Sequence, residues 1–249
     1  MKKNSQKPKN GVSKFLYLHL LALLIFSSFN KNFSQTLIPC GSLEPDRDVF
    51  EGYDPDGATR LCQIFSDNSY TFNFTGGNSS HAVTIQDLVD LNGSTIFFNK
   101  KIHIIGDIEI NQNITFVNCW IKVDAGKEIK TTGTGRFLRI LRTKLFGCDY
   151  MWEGINITGF NKIEFSLSQI EDAEFAINLQ ANTIANINES KFINDNLGIT
   201  NEKGTKGIIK FMNLFGLNFA CTSPLLSPHS GSDFTNAGIF LTADPVTVD

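Results

Sequence analysis

The sequence predicts an all-β fold: a parallel β-helix of three-strand coils, about 22 residues per coil, with a turn-rich N-terminal cap and a short capping helix. Three features point to it. First, "SQIEDAEFAINLQANTIANINESKFINDNLGITN", residues 168 to 201, repeats itself at an offset of 22, placing Ser168 on Ser190, Ile170 on Phe192, Phe175 on Leu197 and Ile177 on Ile199. A fixed period in this range marks a stacked repeat in which each unit buries its apolar face only against its neighbours. Second, the register extends into apolar columns: Ile155, Ile177, Ile199 and Cys221; Cys148, Ile170, Phe192 and Leu214; Phe165, Ile187 and Ile209. A column of small residues, Gly154, Ala176, Gly198 and Ala220, runs beside the first and suits positions where chain crowds chain. Third, the repeat cannot be helical. "IEDAEFAINLQA" has a helical apolar stripe, but its counterpart holds Asn194, Asp195, Asn196 and Gly198, which are poor helix residues. Strands joined by Asn, Asp and Gly corners fit both copies.

The elements follow in chain order. Residues 1–35 carry Lys2, Lys3, Lys7, Lys9 and Lys14 ahead of the apolar run "FLYLHLLALLIF", the pattern of a secretory signal peptide. That run, Phe15 to Phe26, falls short of the roughly 20 residues a membrane-spanning helix needs, so no stable membrane span is expected after cleavage. Residues 36–93 are rich in turn signals, "EPDRD", "GYDPDGAT" and "TGGNSS", and read as an N-terminal appendage and cap. Within them "TIQDLVDLNG" predicts a helix that starts at Thr84, carries Asp87 in its first turn and stops at Asn92-Gly93. Residues 94–249 form the β-helix, opening with "TIFFN", "IHIIG", "IEI", "ITFVN", "WIKV" and "FLRIL". Near Thr222 a Ser, Pro and Gly-rich loop interrupts them. "AGIFL" then restores the small-Ile pair at Gly238-Ile239, and "TADPVTVD" ends the chain without a closing element, which reads as truncation.

Composition narrows function. Removing residues 1–35 takes away six lysines and no acid, leaving 16 basic and 25 acidic residues, 16 − 25 = −9. Nucleic acid is excluded as a partner, because phosphate neutralisation needs clustered Lys and Arg. Five cysteines, Cys40, Cys62, Cys119, Cys148 and Cys221, would meet an oxidising compartment, and the odd number leaves one thiol unpaired within the chain. Cys40 and Cys62 flank a turn-rich segment and form a candidate disulfide.

The segments "GDIEI", "AGKEIKTTGTGRFLRI", "CDYMWEGINI", "SQIEDAEFAI" and "SKFINDNLGI" resemble right-handed parallel β-helix proteins of the pectin-lyase-like superfamily, and more narrowly the repeat domains of exported bacterial surface proteins. The resemblance implies a right-handed helix and an extracellular role. It does not choose a chemistry, since the superfamily contains lyases, hydrolases, adhesins and phage tailspikes. Its enzymes carry a Lys or Arg base with calcium-holding acids, or clustered Asp residues, and their short signatures are missing here.

The most suggestive constellation is acidic. Asp149 and Glu171 lie one period apart and would stack about 5 Å from each other on neighbouring coils, with Asp172 adjacent and Trp152 nearby. Paired carboxylates beside an indole could hold calcium or grip a sugar ring; the bland alternative is a set of solvated turn residues with Trp152 packed in the coil. No other cofactor is implied. The reading favoured is a non-enzymatic, secreted or cell-surface β-helix module for adhesion, glycan contact or assembly, with extracellular polysaccharide or surface proteins as partners. Its rivals are a polysaccharide lyase or glycoside hydrolase using the acidic patch, and a fragment of a larger surface protein.

Overall fold

The computed structural model describes residues 72–74, 83–201, 209–221, 226–231, 237–241 and 246–248. Among the described residues, short strands alternate among three seven-stranded sheets. The first sheet joins β1 (Phe72–Phe74), β4 (Lys101–Ile104), β7 (Trp120–Val123), β10 (Lys144–Phe146), β13 (Gln169–Glu171), β16 (Lys191–Ile193) and β19 (Asn218–Ala220). The second joins β2 (Val83–Thr84), β5 (Ile108–Ile110), β8 (Glu128–Thr131), β11 (Trp152–Ile157), β14 (Ala173–Leu179), β17 (Leu197–Thr200) and β20 (Ala237–Phe240). The third joins β3 (Ile96–Phe98), β6 (Ile114–Val117), β9 (Phe137–Leu141), β12 (Lys162–Ser166), β15 (Ile184–Asn188), β18 (Ile209–Phe215) and β21 (Val246–Val248). Each strand inside a sheet pairs in parallel with its counterparts on the preceding and following coils. The chain is a three-sheet parallel β-helix. No described helix is long and apolar enough to cross a membrane.

Strand alternation turns one set of side chains inward, where they stack into ladders. Ile102, Ile121, Leu145, Ile170, Phe192 and Phe219 line the first sheet. Ile108, Ile129, Ile155, Ile177, Ile199 and Ile239 line the second, and Phe97, Phe116, Ile140, Phe165, Ile187 and Leu214 the third. Most of these side chains belong to one continuous buried cluster. Within it the Phe192 ring lies 5.0 Å from Phe219 and 5.8 Å from Phe165, adding aromatic attraction to the burial term. All three expected columns are present at their centre: Ile155-Ile177-Ile199, Ile170-Phe192 and Phe165-Ile187. Their ends differ. Ile170 pairs with Leu145 instead of Cys148, Ile199 with Ile239 instead of Cys221, Phe192 with Phe219 instead of Leu214, and Ile187 with Leu214 instead of Ile209.

The reason is that the coil length varies while one corner stays constant. Each third-sheet strand reaches the next first-sheet strand through two residues, the first left-handed: Asn99, Asn118, Arg142, Leu167, Glu189 and Gly216. The second residue builds a buried ladder in which the amide of Cys119 donates to Thr143 Oγ1, that of Thr143 to Ser168 Oγ and that of Ser168 to Ser190 Oγ, at 3.1–3.3 Å. Along this ladder the sequence separation is 24 from Cys119 to Thr143, 25 from Thr143 to Ser168 and 22 from Ser168 to Ser190. Length varies instead at the other two corners and by one-residue register shifts between β11 and β14 and between β15 and β18.

The sheets begin before position 94, since β1 and β2 already pair with β4 and β5. Between β2 and β3 lies helix α1 (Gln86–Asn92), which starts one position later than expected, with Ile85 instead of Thr84 at the N-cap and no side-chain cap bond. It stops where expected, at a left-handed Gly93 whose N–H reaches Val89 O at 2.7 Å. Leu88 anchors α1 in the core cluster of the first coil.

Candidate functional site

The four acidic-patch candidates do not assemble on an open surface. Asp149 is exposed in the turn after β10, whereas Glu171 pairs in register with Phe146 and Ile193, so the expected Asp149-Glu171 stack does not form. The cause is a coil longer than the quoted repeat, which carries Asp149 past the strand. Trp152 opens β11 inside the core cluster, fully buried, and its Nε1 donates to Glu171 O at 3.0 Å. Asp172 is the buried left-handed residue at the corner between β13 and β14.

Glu171 is 5% exposed on the outer face of the first sheet, among the similarly buried Lys144, Gln169 and Lys191. Burial, helped by repulsion from Lys191 and opposed by Glu171, drives the Lys144 ammonium down to about 8; its Nζ also sits 4.7 Å over the Trp120 ring. One coil on, Asp195 Oδ1 accepts from Ala173 N at 2.7 Å. Burial holds this carboxyl well above the ordinary carboxylate range, against the Ala173 bond and with help from Asp172 and Glu171. The cluster braces a corner between coils. Among the described residues no group of three or more His, Cys, Asp and Glu side chains is arranged to hold a metal ion.

Cys40 and Cys62 lie outside the described residues. Cys148 and Cys221, which follow β10 and β19 on the first sheet, are each engaged in a disulfide. Cys119 is a buried free thiol in the hydroxyl ladder, its Sγ donating to Phe97 O and Val117 O at 3.4 Å.

A different site lies on the outer face of the second sheet. Gly154 stands in register between Glu128 on β8 and Phe175 on β14, and the ladder slips by one residue after it. Its φ of 117° is closed to ordinary L-residues, and a Cβ there would overlap the Phe175 carbonyl oxygen. Beside it lies a shallow notch with about 10 Å³ of free space, room for one water-sized group, lined by Glu128, Glu153, Phe175, Asn156 and Asn178. Asn178 Nδ2 and Gln180 Nε2 both donate to Asn156 Oδ1, at 3.2 and 3.3 Å. Asn178 is 1% exposed and its Oδ1 has no protein donor. The sequence held one hint, the Gly154 within "WEGINI"; the bulge beside it has no sequence signature.

Next to this face, residues 226–231 fold back along the corner between the first two sheets. Met151 N donates to Ser227 O at 3.0 Å, Ser230 N donates to Glu174 Oε1 at 2.7 Å, and the His229 ring covers Gly126. This part of the Ser, Pro and Gly-rich loop is therefore a strap over earlier coils. The excursion accounts for the long stretch of chain between Ile199 and Ile239, which still pair without a break in the sheet.

No protein-family model, curated protein or solved structure matches the chain.

Proposed function

We propose that the chain is an exported, non-enzymatic β-helix module that contacts extracellular carbohydrate through the outer face of its second sheet. The observation that carries this reading is the notch at Gly154. It sets an aromatic ring beside carboxylates and amides on a rigid, strand-built wall, the combination that grips a sugar ring by its apolar face and its hydroxyls. Its free space takes one small group, so the rest of a long polymer would lie across the open sheet. Export rests on the lysine-rich, apolar N-terminus, and kinship with pectin-lyase-like bacterial surface proteins on the repeat and the three-sheet coil.

Retention of the full chain on immobilised polysaccharides tests the proposal. Binding that Phe175→Ala weakens about tenfold supports it, and equal binding by the parent and the variant refutes the notch as the contact. A second reading draws on Glu128 and Glu153, two carboxylates in one cleft, which is the minimum for glycoside hydrolysis. New reducing ends, lost on Glu128→Gln, would establish turnover in place of simple contact.

A further inference from the structure

Cys148 and Cys221 are each engaged in a disulfide, and the ladder between them keeps them from bonding to each other. Cys148 follows β10 by two residues and Cys221 follows β19 by one. The first sheet is continuous from one to the other: Phe146 pairs with Glu171, Glu171 with Ile193 and Ile193 with Ala220. The stacking persists one residue past the strands, where the amides of Gly147, Asp172 and Asn194 donate to the carbonyls of Glu171, Ile193 and Ala220 at 2.9–3.2 Å. Three steps of about 4.8 Å therefore separate the level of Gly147 from that of Cys221. Cys148 is one residue, about 3.8 Å, from Gly147, so the two cysteine Cα atoms stay roughly 10 Å apart or more, beyond the roughly 7 Å that a disulfide bridges.

Each bond thus needs another partner, and the chain offers few. It has five cysteines. Cys119 is a buried free thiol, which leaves Cys40 and Cys62. The Cys40-Cys62 pairing expected from the turn-rich segment would supply neither Cys148 nor Cys221.

A second observation lies on the sheet between these two anchors. Phe146, Glu171 and Ile193 form one outward column and Lys144, Gln169 and Lys191 another, yet all six are at most 5% exposed. Phe146 and Ile193 stand outside the core cluster. On the preceding coil the outward Trp120 and Lys122 are only half-buried, as is Asn218 on the coil that carries Cys221. Burial of the outer face is concentrated on the coils that the two cysteines bracket.

We infer that two disulfides join Cys148 and Cys221 to Cys40 and Cys62, one each, and that the outer face of the first sheet is the docking surface for the chain's own segment between Cys40 and Cys62. That segment, residues 41–61, carries six acids and two arginines, 2 − 6 = −4, opposite in sign to Lys144 and Lys191. Its 21 residues exceed what is needed to cross three coil steps. The bonds staple the N-terminal appendage to coils far along the solenoid, and such bonds persist in oxidising compartments, as the export reading requires.

Non-reducing tryptic mapping of the full oxidised chain, denatured with its free thiols alkylated, tests the connectivity. Cleavage at Arg47 and Arg60 puts Cys40 and Cys62 on separate peptides. The expected map links each of these peptides to one carrying Cys148 or Cys221 and leaves Cys119 alone alkylated. A Cys40-Cys62 link, a Cys148-Cys221 link or a covalent dimer would overturn the inference. Carbodiimide coupling of the same folded protein tests the docking: Lys144 or Lys191 should be joined to carboxylates between Glu44 and Asp56. Coupling of these lysines to Glu171 alone would refute the docking and leave the connectivity standing. Both measurements use the parent protein, so neither depends on a variant folding.

Discussion

Replacing Gly154 with alanine tests the backbone logic of the notch. At φ 117° an L-residue sits outside its allowed regions, and holding one there costs about 1–3 kcal/mol. The new methyl would also overlap the Phe175 carbonyl oxygen and lie 2.6 Å from its carbon, inside the 3.0 Å that real Cβ atoms keep. The obstacle is backbone in the neighbouring coil and cannot swing aside, so overpacking adds about another 1–3 kcal/mol. The sum, about 4 kcal/mol, should lower the melting temperature by about 8–16 °C at the 2–4 °C per kcal/mol of a domain this size. Gly93 is the control: its φ is 69°, and an added Cβ meets nothing within 4 Å. Gly93→Ala should cost only the left-handed strain, about 1 kcal/mol and a few degrees. Thermal melts of both variants by circular dichroism decide the matter. If Gly154→Ala melts no lower than Gly93→Ala, close approach of the coils does not require a glycine there and the account of the notch fails.

Ile177→Asp places an unpaired carboxylate in the fully buried second-sheet ladder and should cost at least about 4 kcal/mol; a melt like the parent's would contradict the coil register. Asp195 has a raised pKa in the fold, so its contribution to stability is complete below the unfolded value of 3.8 and is lost as pH rises through the folded one. Asp195→Asn, which keeps the acceptor for Ala173 N, should therefore stabilise the protein at neutral pH and not at pH 3, as read from urea midpoints. Lys144 shifts the other way, from 10.5 to about 8, so the unfolded chain binds more protons between those values and stability rises with pH across that window. The shift of 10.5 − 8 = 2.5 corresponds to about 3 kcal/mol; Lys144→Met should flatten that part of the profile. Cys119 should resist alkylation until denaturant is added, because it is buried and burial raises its thiol pKa. Reduction at Cys148 and Cys221 should cost about 2–5 kcal/mol, seen as a lower melting temperature.

Much of the fold was legible in the sequence because inward positions are set by local chemistry. Ile155, Ile177 and Ile199 had to face a core, and stacking like on like is how a coil too short for its own core buries them. Of the expected small-residue column only part is met: a Cβ at Gly198 would strike Gly238 O, whereas Gly154 is in register with Phe175 and Ala220 lies in the first sheet beside Ile193. The constant period was an over-extension of the one coil that follows it throughout. Corner loops change length without disturbing a parallel ladder, so the spacing from Thr143 to Ser168 exceeds that from Ser168 to Ser190, and Asp149 leaves the column of Glu171. The candidate site was the least legible part. Glu171, Asp172 and Trp152 looked available because they are polar or amphipathic residues near turns, yet all three are buried.

The repeat, the strand alternation and the makeup of the stacked core follow from the chain's own chemistry, because each depends on whether a side chain prefers water or its own kind. Which outer faces stay open is a matter of packing, since exposure depends on what the rest of the chain lays against them. The notch at Gly154 is of that second kind. It lies where the ladder between β11 and β14 slips by one residue and the Phe175 carbonyl takes the place of a side chain at Gly154, a relation between strands on separate coils that no single stretch of sequence contains.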